Sequence, residues 1–479
     1  MKKLVLFSFL FCSCFFLYAQ TGYQIRISMK PFPSSKVYLA YYYGKIKAIA
    51  DSALLDAAGN GVFQGKKPLP GGIYFIVSPR KEILFEVLID KPQQFSIKAD
   101  TSNLPFSVSF TGSAVNTQFQ SYTTFATRTG KAIAAANAAY STAKKAADST
   151  AIAAGVKKLD ASLQQYRDSI IKKQPGSILA TLFRAIKEPQ VPPAAKHPGG
   201  IYDSGFAYQY YKEHYWDGIP FNDERLVRTP FFEPKLEKYY RDLVPMQPDS
   251  IKKEVDAMLL QARTSPEMFK YLLVHFVQKY INPEYMGQDA VFVHLFEKYI
   301  NTGQADFFTS QYKEFASRRA YSLMANLIGQ PAANLIMVDT TGKETPLYDI
   351  DGEYVIVCFW DPSCSHCKEV VPKVDSFYKA SWKQKGVKVY GVKVDGSNDE
   401  WKKFIHEYKL DEWVHVYQLP SQQEKEIAAG KPGFRQLYDV YQTPMLYLLD
   451  IEKRILAKKL TYQQIDEVLN VKSNTQKPK

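Results

Sequence analysis

Cysteine is scarce in this chain of 479 residues, and its five cysteines fall into two tight groups. Cys12 and Cys14 lie near the start, whereas Cys358, Cys364 and Cys367 lie within ten residues of one another. Exported proteins that use disulfides as structural cross-links need several, spread along the chain. A chain of this length can also bury its cores without them. The three later cysteines are therefore predicted to act chemically rather than to hold the fold together.

The chain begins with an apolar run that is too short for a comfortable membrane span. In "MKKLVLFSFLFCSCFFLYAQ" two lysines precede the apolar residues 4–17, whereas a spanning helix needs about 20 residues. Ala19 supplies the small residue of a cleavage site. Residues 1–19 are predicted to be a signal peptide that is removed on export. A retained anchor and a lipid attached to Cys14 are the alternatives, so membrane association is compatible with the sequence but not required by it.

Long basic runs are absent, although the formal net charge is +13. Basic and acidic residues balance from residue 325 onward, so the excess lies in residues 20–324, where acidic residues interleave with it. A dispersed excess of this kind is typical of a solvated surface. The pattern gives no indication of nucleic-acid binding.

Three kinds of pattern follow one another along the mature chain. Residues 20–113 carry short segments rich in Tyr, Phe, Val and Ile, such as "KVYLAYYYG" and "GGIYFIVSP", which predict a β-sandwich. Residues 114–325 are first rich in alanine and then show apolar residues at three- and four-residue spacing, which predicts a helical domain. Residues 326–479 alternate strands with helices and predict an α/β domain. The expected fold class is multidomain: β-sandwich, all-α region, α/β domain.

The segment "FWDPSCSHCKEVVP", residues 359–372, carries the chemistry. It follows the apolar strand candidate "YVIVCFW" and opens a predicted helix, so Cys364 and Cys367 would lie at a helix N-terminus. Unpaired backbone N–H groups and the helix dipole favour a negative charge there. A thiolate is therefore stabilised at Cys364, below the free-thiol pKa of about 8.5. Cys367, three residues on, is placed to attack a mixed disulfide formed at Cys364.

Three other readings of the cysteines stay open at this point. A zinc site needs two further ligands, and His275 and His294 lie on separate helical stretches without clustered partners. No metal site is therefore predicted. An inert disulfide would be unusual in a short loop at a helix start. Cys358, inside "YVIVCF", reads most simply as a small buried hydrophobe.

The residues "VIVCFWDPSCSHCKEVVP" resemble the thioredoxin signature, with Pro372 five residues after the second cysteine. "YQTPMLYLLD" is similar to the segment in which thioredoxins place a cis-proline opposite the active site. The resemblance covers residues 330–475 and is closest to the extracytoplasmic TlpA/ResA branch. It implies a redox-active disulfide between Cys364 and Cys367, and a substrate groove shaped by Pro444. Thr443 and Trp360 are the implied substrate-binding residues.

Three departures from the family pattern concern the tuning of the site. Cys358 stands where many thioredoxins have a buried aspartate, and Val370 stands where the TlpA/ResA branch often has a glutamate. Glu369 lies one position earlier, about 100° around the helix, and is the candidate substitute as proton acceptor. Ser363 replaces the tryptophan common before the motif.

His366 bears on the direction of electron flow. An imidazolium or a donated N–H beside Cys364 stabilises the thiolate, and therefore the reduced form. The oxidase DsbA and disulfide isomerase also carry histidine at this place, and both are more oxidising than thioredoxin. The sequence predicts a reduction potential above that of thioredoxin, which is about −270 mV.

The sequence thus predicts an exported thiol–disulfide oxidoreductase of the bacterial periplasm or cell envelope. Its partners would be protein thiols and disulfides and an upstream redox protein, and no cofactor is expected. The similarity of "FNDERLVRTPFF" and "YMGQDAVFVHLFEKY" to envelope proteins extends the resemblance to the first two domains without giving them an activity. The alternative is a binding or assembly protein in which the thioredoxin-like domain only docks a partner.

Overall fold

The computed structural model describes residues 22–142 and 146–475. The predicted signal peptide, residues 1–19, lies outside the described residues together with Cys12 and Cys14. In the part of the chain that is described, no helix combines the length and the apolar character needed to cross a bilayer.

The first part of the chain folds as strands. Their bounds are β1 Tyr23–Lys30, β2 Lys36–Tyr43, β3 Ile46–Leu54, β4 Asn60–Gly65, β5 Gly72–Val77, β6 Ile83–Ile89, β7 Gln94–Asp100 and β8 Ser109–Thr111. They form two four-stranded sheets, ordered β4-β1-β7-β8 and β3-β2-β5-β6. Alternate side chains from both sheets meet in one core, for example Ile25 and Ile27 of β1 with Val37 and Leu39 of β2. Two sheets packed face to face over a common core confirm the predicted N-terminal β-rich fold.

Helices follow. Their bounds are α1 Ala114–Thr142, α2 Ala146–Lys173, α3 Ile178–Ala185, α4 Ser204–Glu213, α5 Phe232–Asp242, α6 Pro248–Gln261, α7 Pro266–Tyr280, α8 Asp289–Leu295 and α9 Ser310–Met324. The high alanine content of α1 and α2 favours long helices, and the later helices bury the apolar stripes that the sequence shows. The central helical region is confirmed.

The chain divides into two compact units. The first contains residues up to Val244 together with Gln261–Phe269, and the second contains Pro245–Leu260 together with Lys270 onward. The helical region therefore contributes to both units, and α8 and α9 belong to the same unit as the C-terminal α/β fold. The predicted limits of the three domains, 20–113, 114–325 and 326–479, stay predictions.

The C-terminal fold alternates strands and helices, as expected. Its strands are β9 Val338–Asp339, β10 Tyr354–Trp360, β11 Val387–Lys393, β12 Val414–Tyr417, β13 Met445–Asp450 and β14 Ile455–Lys458. Its helices are α10 Ser365–Phe377, α11 Asn398–Glu407, α12 Pro420–Ala428, α13 Phe434–Leu437 and α14 Tyr462–Thr475. The strands form one mixed sheet in the order β14-β13-β10-β11-β12-β9.

Strand β10 lies inside this sheet and is buried over its whole length. Cys358 and Trp360 point to one face, where they pack with Cys367 and Val371 of α10. Phe359 points to the opposite face and stacks on Phe434 of α13, with ring centroids 6.0 Å apart. A strand buried on both faces reads as a continuous apolar run, which explains "YVIVCFW". The strand holds the start of the cysteine loop rigidly.

Asn116, in the first turn of α1, completes the hydrogen bonding of an edge strand in the first unit. Its Oδ1 accepts the N–H of Leu88 at 2.8 Å, and its Nδ2 donates to the carbonyl of Leu88 at 2.8 Å. Both residues are fully buried. The amide group thereby satisfies the backbone N–H and C=O groups of Leu88, as a neighbouring strand would. It also links α1 to the sandwich.

Replacing Asn116 with alanine is expected to lower the free energy of unfolding by about 2 kcal/mol, because two buried backbone groups of Leu88 would lose their partners. Urea denaturation followed by circular dichroism measures the change. Asn137→Ala, at an exposed position of the same helix, is the matched control and should leave the transition in place. Equal midpoints for the two variants would contradict the role assigned to Asn116.

Candidate active site

The loop between β10 and α10 is shaped by Asp361. Its Oδ1 accepts the backbone N–H and the hydroxyl of Ser363 at 2.8 and 2.7 Å, which is the turn that aspartate commonly makes with the residue two positions on. The N–H of Cys364 donates to the carbonyl of Asp361 at 3.2 Å. Cys364 is thereby fixed as the N-cap residue of α10.

The two sulfur atoms differ in burial. Cys364 is partly exposed, whereas Cys367, one turn into the helix, is fully buried. No disulfide bond joins the two sulfur atoms in this structure. A substrate can therefore reach the first sulfur but not the second.

Hydrogen bonding and burial also give the thiols of Cys364 and Cys367 different pKa values. The sulfur of Cys364 accepts a hydrogen bond from the backbone N–H of Cys367 and also contacts Thr443. Both interactions lower the pKa of Cys364, and the N–H of Cys367 has the larger effect. Burial raises the pKa of Cys367 to about 12. Its Sγ accepts the N–H of Asp361 at 3.4 Å. Of the two thiols, Cys364 therefore has the lower pKa.

Thr443 lies against Cys364, and Pro444 follows it in the chain. The peptide bond between them is cis, and the Sγ of Cys364 donates to the carbonyl of Thr443 at 3.7 Å. Both residues are partly exposed and immediately precede β13, whose Met445 pairs with Phe359 of β10. This pairing sets the proline segment beside the end of β10, where the cysteine loop begins.

Trp360 does not face the substrate side. Its side chain is fully buried, and the indole lies 5.0 Å from the ring of Phe404, between ring centroids. The prediction of a direct substrate contact is therefore corrected: Trp360 supports the cysteine loop from within the core. The reason is that its position on β10 points into the layer between sheet and helices, which the local motif alone does not reveal.

Glu369 and His366 are exposed on the outer side of α10. The carboxylate of Glu369 binds Lys373 at 2.7 Å, and this bond lowers the pKa of Glu369. An exposed carboxylate that is already paired does not reach the buried sulfur of Cys367. The structure therefore does not bring Glu369 to the position expected of the proton acceptor. Cys358, at the site of the usual aspartate, is fully buried, and burial raises its pKa well above the ordinary value.

Asp361 is a site residue that the sequence argument missed. Its turn orients Cys364, and its backbone N–H donates a hydrogen bond to the Sγ of Cys367. The signal was present as "DPS", since aspartate two residues before a loop N–H is a common turn former.

His294, one of the two histidines considered as metal ligands, forms a hydrogen bond with Asp256 at 2.9 Å. Within residues 22–142 and 146–475 no group of three potential metal ligands occurs.

Comparison with known proteins adds the family to this geometry. Residues 328–458 match the AhpC/TSA family, residues 157–317 a domain of unknown function, DUF5106, and residues 23–119 another, DUF4369. The C-terminal domain is a thioredoxin-like domain of the AhpC/TSA type. The family models thus confirm a thioredoxin-like domain that follows a β-rich and a helical domain of unknown function.

Curated relatives of the thioredoxin-like domain are thiol-disulfide oxidoreductases named ResA. The protein from Bacillus thuringiensis subsp. konkukian is 27% identical over 146 residues, which are 30% of this chain and 76% of that protein. The Bacillus subtilis protein is 25% identical over 150 residues, 31% of this chain and 76% of its own length. The thioredoxin-like domain therefore has homologues among redox enzymes.

Solved structures also match. A thioredoxin-like protein from Bacteroides caccae is 22% identical, with a TM-score of 0.45, over 60% of this chain and 98% of that one. A domain of a possible thiol-disulfide isomerase from Cytophaga hutchinsonii is 35% identical, with a TM-score of 0.28, over 32% of this chain and 97% of that one.

The lowered pKa of Cys364 predicts its alkylation profile. Because only the thiolate reacts, its rate with iodoacetamide should reach a plateau at a lower pH than that of free cysteine, whose pKa is about 8.5. Site-resolved mass spectrometry of the reduced protein measures this. In Cys364→Ser, the buried Cys358 and Cys367 should stay unmodified at pH 8. Titration of Cys364 at the free-cysteine value would contradict the asymmetry.

Proposed function

We propose that the chain is a thiol–disulfide oxidoreductase that acts on protein disulfides through the Cys364–Cys367 pair. The observation that carries the proposal is the pairing of an accessible, low-pKa thiol with a buried, high-pKa thiol one helical turn away. The ResA relatives of the thioredoxin-like domain support the same chemistry.

In the reducing direction, the thiolate of Cys364 attacks one sulfur of a substrate disulfide. A bond forms between Cys364 and that sulfur, the substrate S–S bond breaks, and the other substrate sulfur leaves as a thiolate. Cys367 then gives up its proton and attacks Cys364, which releases the second substrate thiolate and leaves a Cys364–Cys367 disulfide. Two electrons pass from the pair to the substrate. The same steps in reverse oxidise a substrate dithiol.

Burial of Cys367 suits this order of events. A sulfur whose pKa is about 12 does not compete for the substrate while Cys364 is free. Its proton must leave before it can attack, and the structure offers no direct contact with Glu369 for that transfer. The Asp361 N–H at 3.4 Å can stabilise the thiolate of Cys367 as it forms.

Thr443 and Pro444 would position the substrate. The residues are partly exposed and adjoin Cys364, so an extended segment of the substrate can lie along them with strand-like hydrogen bonds to the backbone of Thr443. His366 would tune the Cys364 thiolate. Its backbone N–H already contributes to the lowered pKa of Cys364.

The proposed location is the bacterial periplasm or cell envelope. The charged and apolar start of the chain and its predicted cleavage after Ala19 support export. An upstream redox protein of that compartment would exchange electrons with the Cys364–Cys367 pair, and the exchange requires no bound cofactor.

Replacing Cys367 with alanine is expected to trap substrates, because the mixed disulfide at Cys364 can no longer be resolved. Disulfide-linked adducts, seen on non-reducing gels and identified by mass spectrometry, measure the effect. Cys364→Ser/Cys367→Ala is the control and should form none. If Cys364→Ser/Cys367→Ser keeps the cellular role of the protein, the thioredoxin-like domain serves to dock a partner and the enzymatic proposal fails.

The reduction potential of the pair is expected to lie above about −270 mV, the thioredoxin value. Under this proposal the imidazole of His366 adds to the stabilisation of the thiolate by the backbone, so His366→Ala, which keeps the backbone N–H, should shift the potential to a lower value. Redox titration against glutathione measures both quantities. His406→Ala, an exposed histidine on α11, is the matched control. A wild-type potential at or below the thioredoxin value would contradict the assignment.

A further inference from the structure

Three residues on neighbouring strands form a row across one face of the C-terminal sheet. Cys358 of β10 is paired with Gly391 of β11, and Gly391 is paired with His415 of β12. Paired residues of parallel strands point to the same face, and Trp360, two residues beyond Cys358, points there too. Cys367 of α10 packs on this face. Because Gly391 has no side chain, the row has a gap between its two outer members, which is called the gap over Gly391 below.

Two buried nitrogen atoms border the gap over Gly391. A methyl carbon placed on Gly391 would lie 3.0 Å from Nδ1 of His415 and 3.2 Å from Nε1 of Trp360. Neither nitrogen has a hydrogen-bond partner in the part of the chain that the structure describes. Trp360 is fully buried, and His415 is 5% exposed. Since native proteins satisfy almost all buried polar groups, two such atoms beside one point indicate a binding site.

The two nitrogen atoms have opposite hydrogen-bonding roles. Nε2 of His415 lies 2.9 Å from the carbonyl oxygen of Leu410, and a carbonyl oxygen only accepts, so Nε2 carries a proton. Burial lowers the pKa of His415 to about 4, so the imidazole is neutral at pH 7 and its Nδ1 is an acceptor. The indole Nε1 of Trp360 is a donor only. A molecule that bridges the two atoms therefore has to accept one hydrogen bond and donate another.

Water meets this requirement, whereas a simple ion does not. An anion would face the lone pair of His415 Nδ1, and a metal cation would face the N–H of Trp360. The ring of Trp413 also borders the gap, with its Cε3 3.3 Å from the same methyl position, so the occupant has to be small. Buried waters in proteins typically bind two to four polar groups of this kind.

We propose that the gap over Gly391 binds one buried water molecule, which accepts the N–H of Trp360 and donates to Nδ1 of His415. This inference goes beyond the proposed function and does not depend on it. The water holds the indole of Trp360 at the end of β10, directly before the Asp361 turn that shapes the cysteine loop. It also accounts for a glycine in the interior of a buried strand, a position at which glycine commonly marks a close approach of another group.

A high-resolution crystal structure of the protein tests the proposal directly. We expect a peak of solvent density within hydrogen-bonding distance of both Nε1 of Trp360 and Nδ1 of His415. A gap without solvent density, or a direct hydrogen bond between these two nitrogen atoms, would overturn the inference.

In solution, the indole N–H groups provide a second test with internal controls. In protein labelled with ¹⁵N-tryptophan, we expect a nuclear Overhauser effect between water and the Nε1 proton of Trp360, whose signal is identified by its loss in Trp360→Phe. Trp382 and Trp413 should show none, because their N–H groups donate to Asp466 and Asp375 at 2.8 and 3.0 Å. A Trp360 signal without the effect would refute the proposed water.

Replacing Gly391 with alanine should abolish the effect at Trp360, because the methyl group takes the place of the water. Gly433→Ala is the matched control, since a methyl group there meets no atom within 4 Å, and this variant should keep the effect. A folded Gly391→Ala protein that retains the effect would contradict the assigned site. If Gly391→Ala does not fold, the wild-type density and the wild-type Overhauser effect decide the question.

Discussion

The proposed chemistry of this site depends on a difference in solvation between two sulfur atoms one helical turn apart. Cys364 sits at the open end of α10, where backbone N–H groups stabilise a negative charge. Cys367 sits inside the core, where burial opposes the same charge. The fully buried strand β10 and the Asp361 turn hold both residues in these environments. Without that division, the two thiols would be interchangeable and neither would have a defined role.

The surroundings of the pair are assembled from distant parts of the chain. Strand β13 brings Thr443 to Cys364, and β14 brings Lys458 to the helical loop at Met286 and Asp289. Each contact links residues that are far apart in sequence. The sheet that carries the cysteine loop is therefore also joined, through β14, to the preceding helices.

The parts that could be predicted from sequence are those with a local cause. The strand–loop–helix order around Cys364 follows from a buried apolar run and an amphipathic stretch, and the proline segment has its own recognisable residues. Trp360 was misjudged because burial on both faces of β10 depends on α10 and α11 as well as on the strand. The position of Glu369 around the helix could be predicted, but its exposure and its ion pair with Lys373 could not. For this reason the prediction that it is the proton acceptor was wrong. The contact between Met286 and Lys458 joins residues far apart in the chain and has no local signature in the sequence.

The buried ion pair of Lys458 and Asp289 has a consequence for how such proteins can be recombined. The family match ends at residue 458 and begins at residue 328, so a module excised at those limits would leave behind both Asp289 and Asn326. The transplanted fragment would carry the buried ammonium group of Lys458 without its counter-ion, Asp289, and without the carbonyl of Asn326 to which it donates. Exchange of this module between proteins, in evolution or in the laboratory, therefore has to bring along α8 and the segment that follows α9.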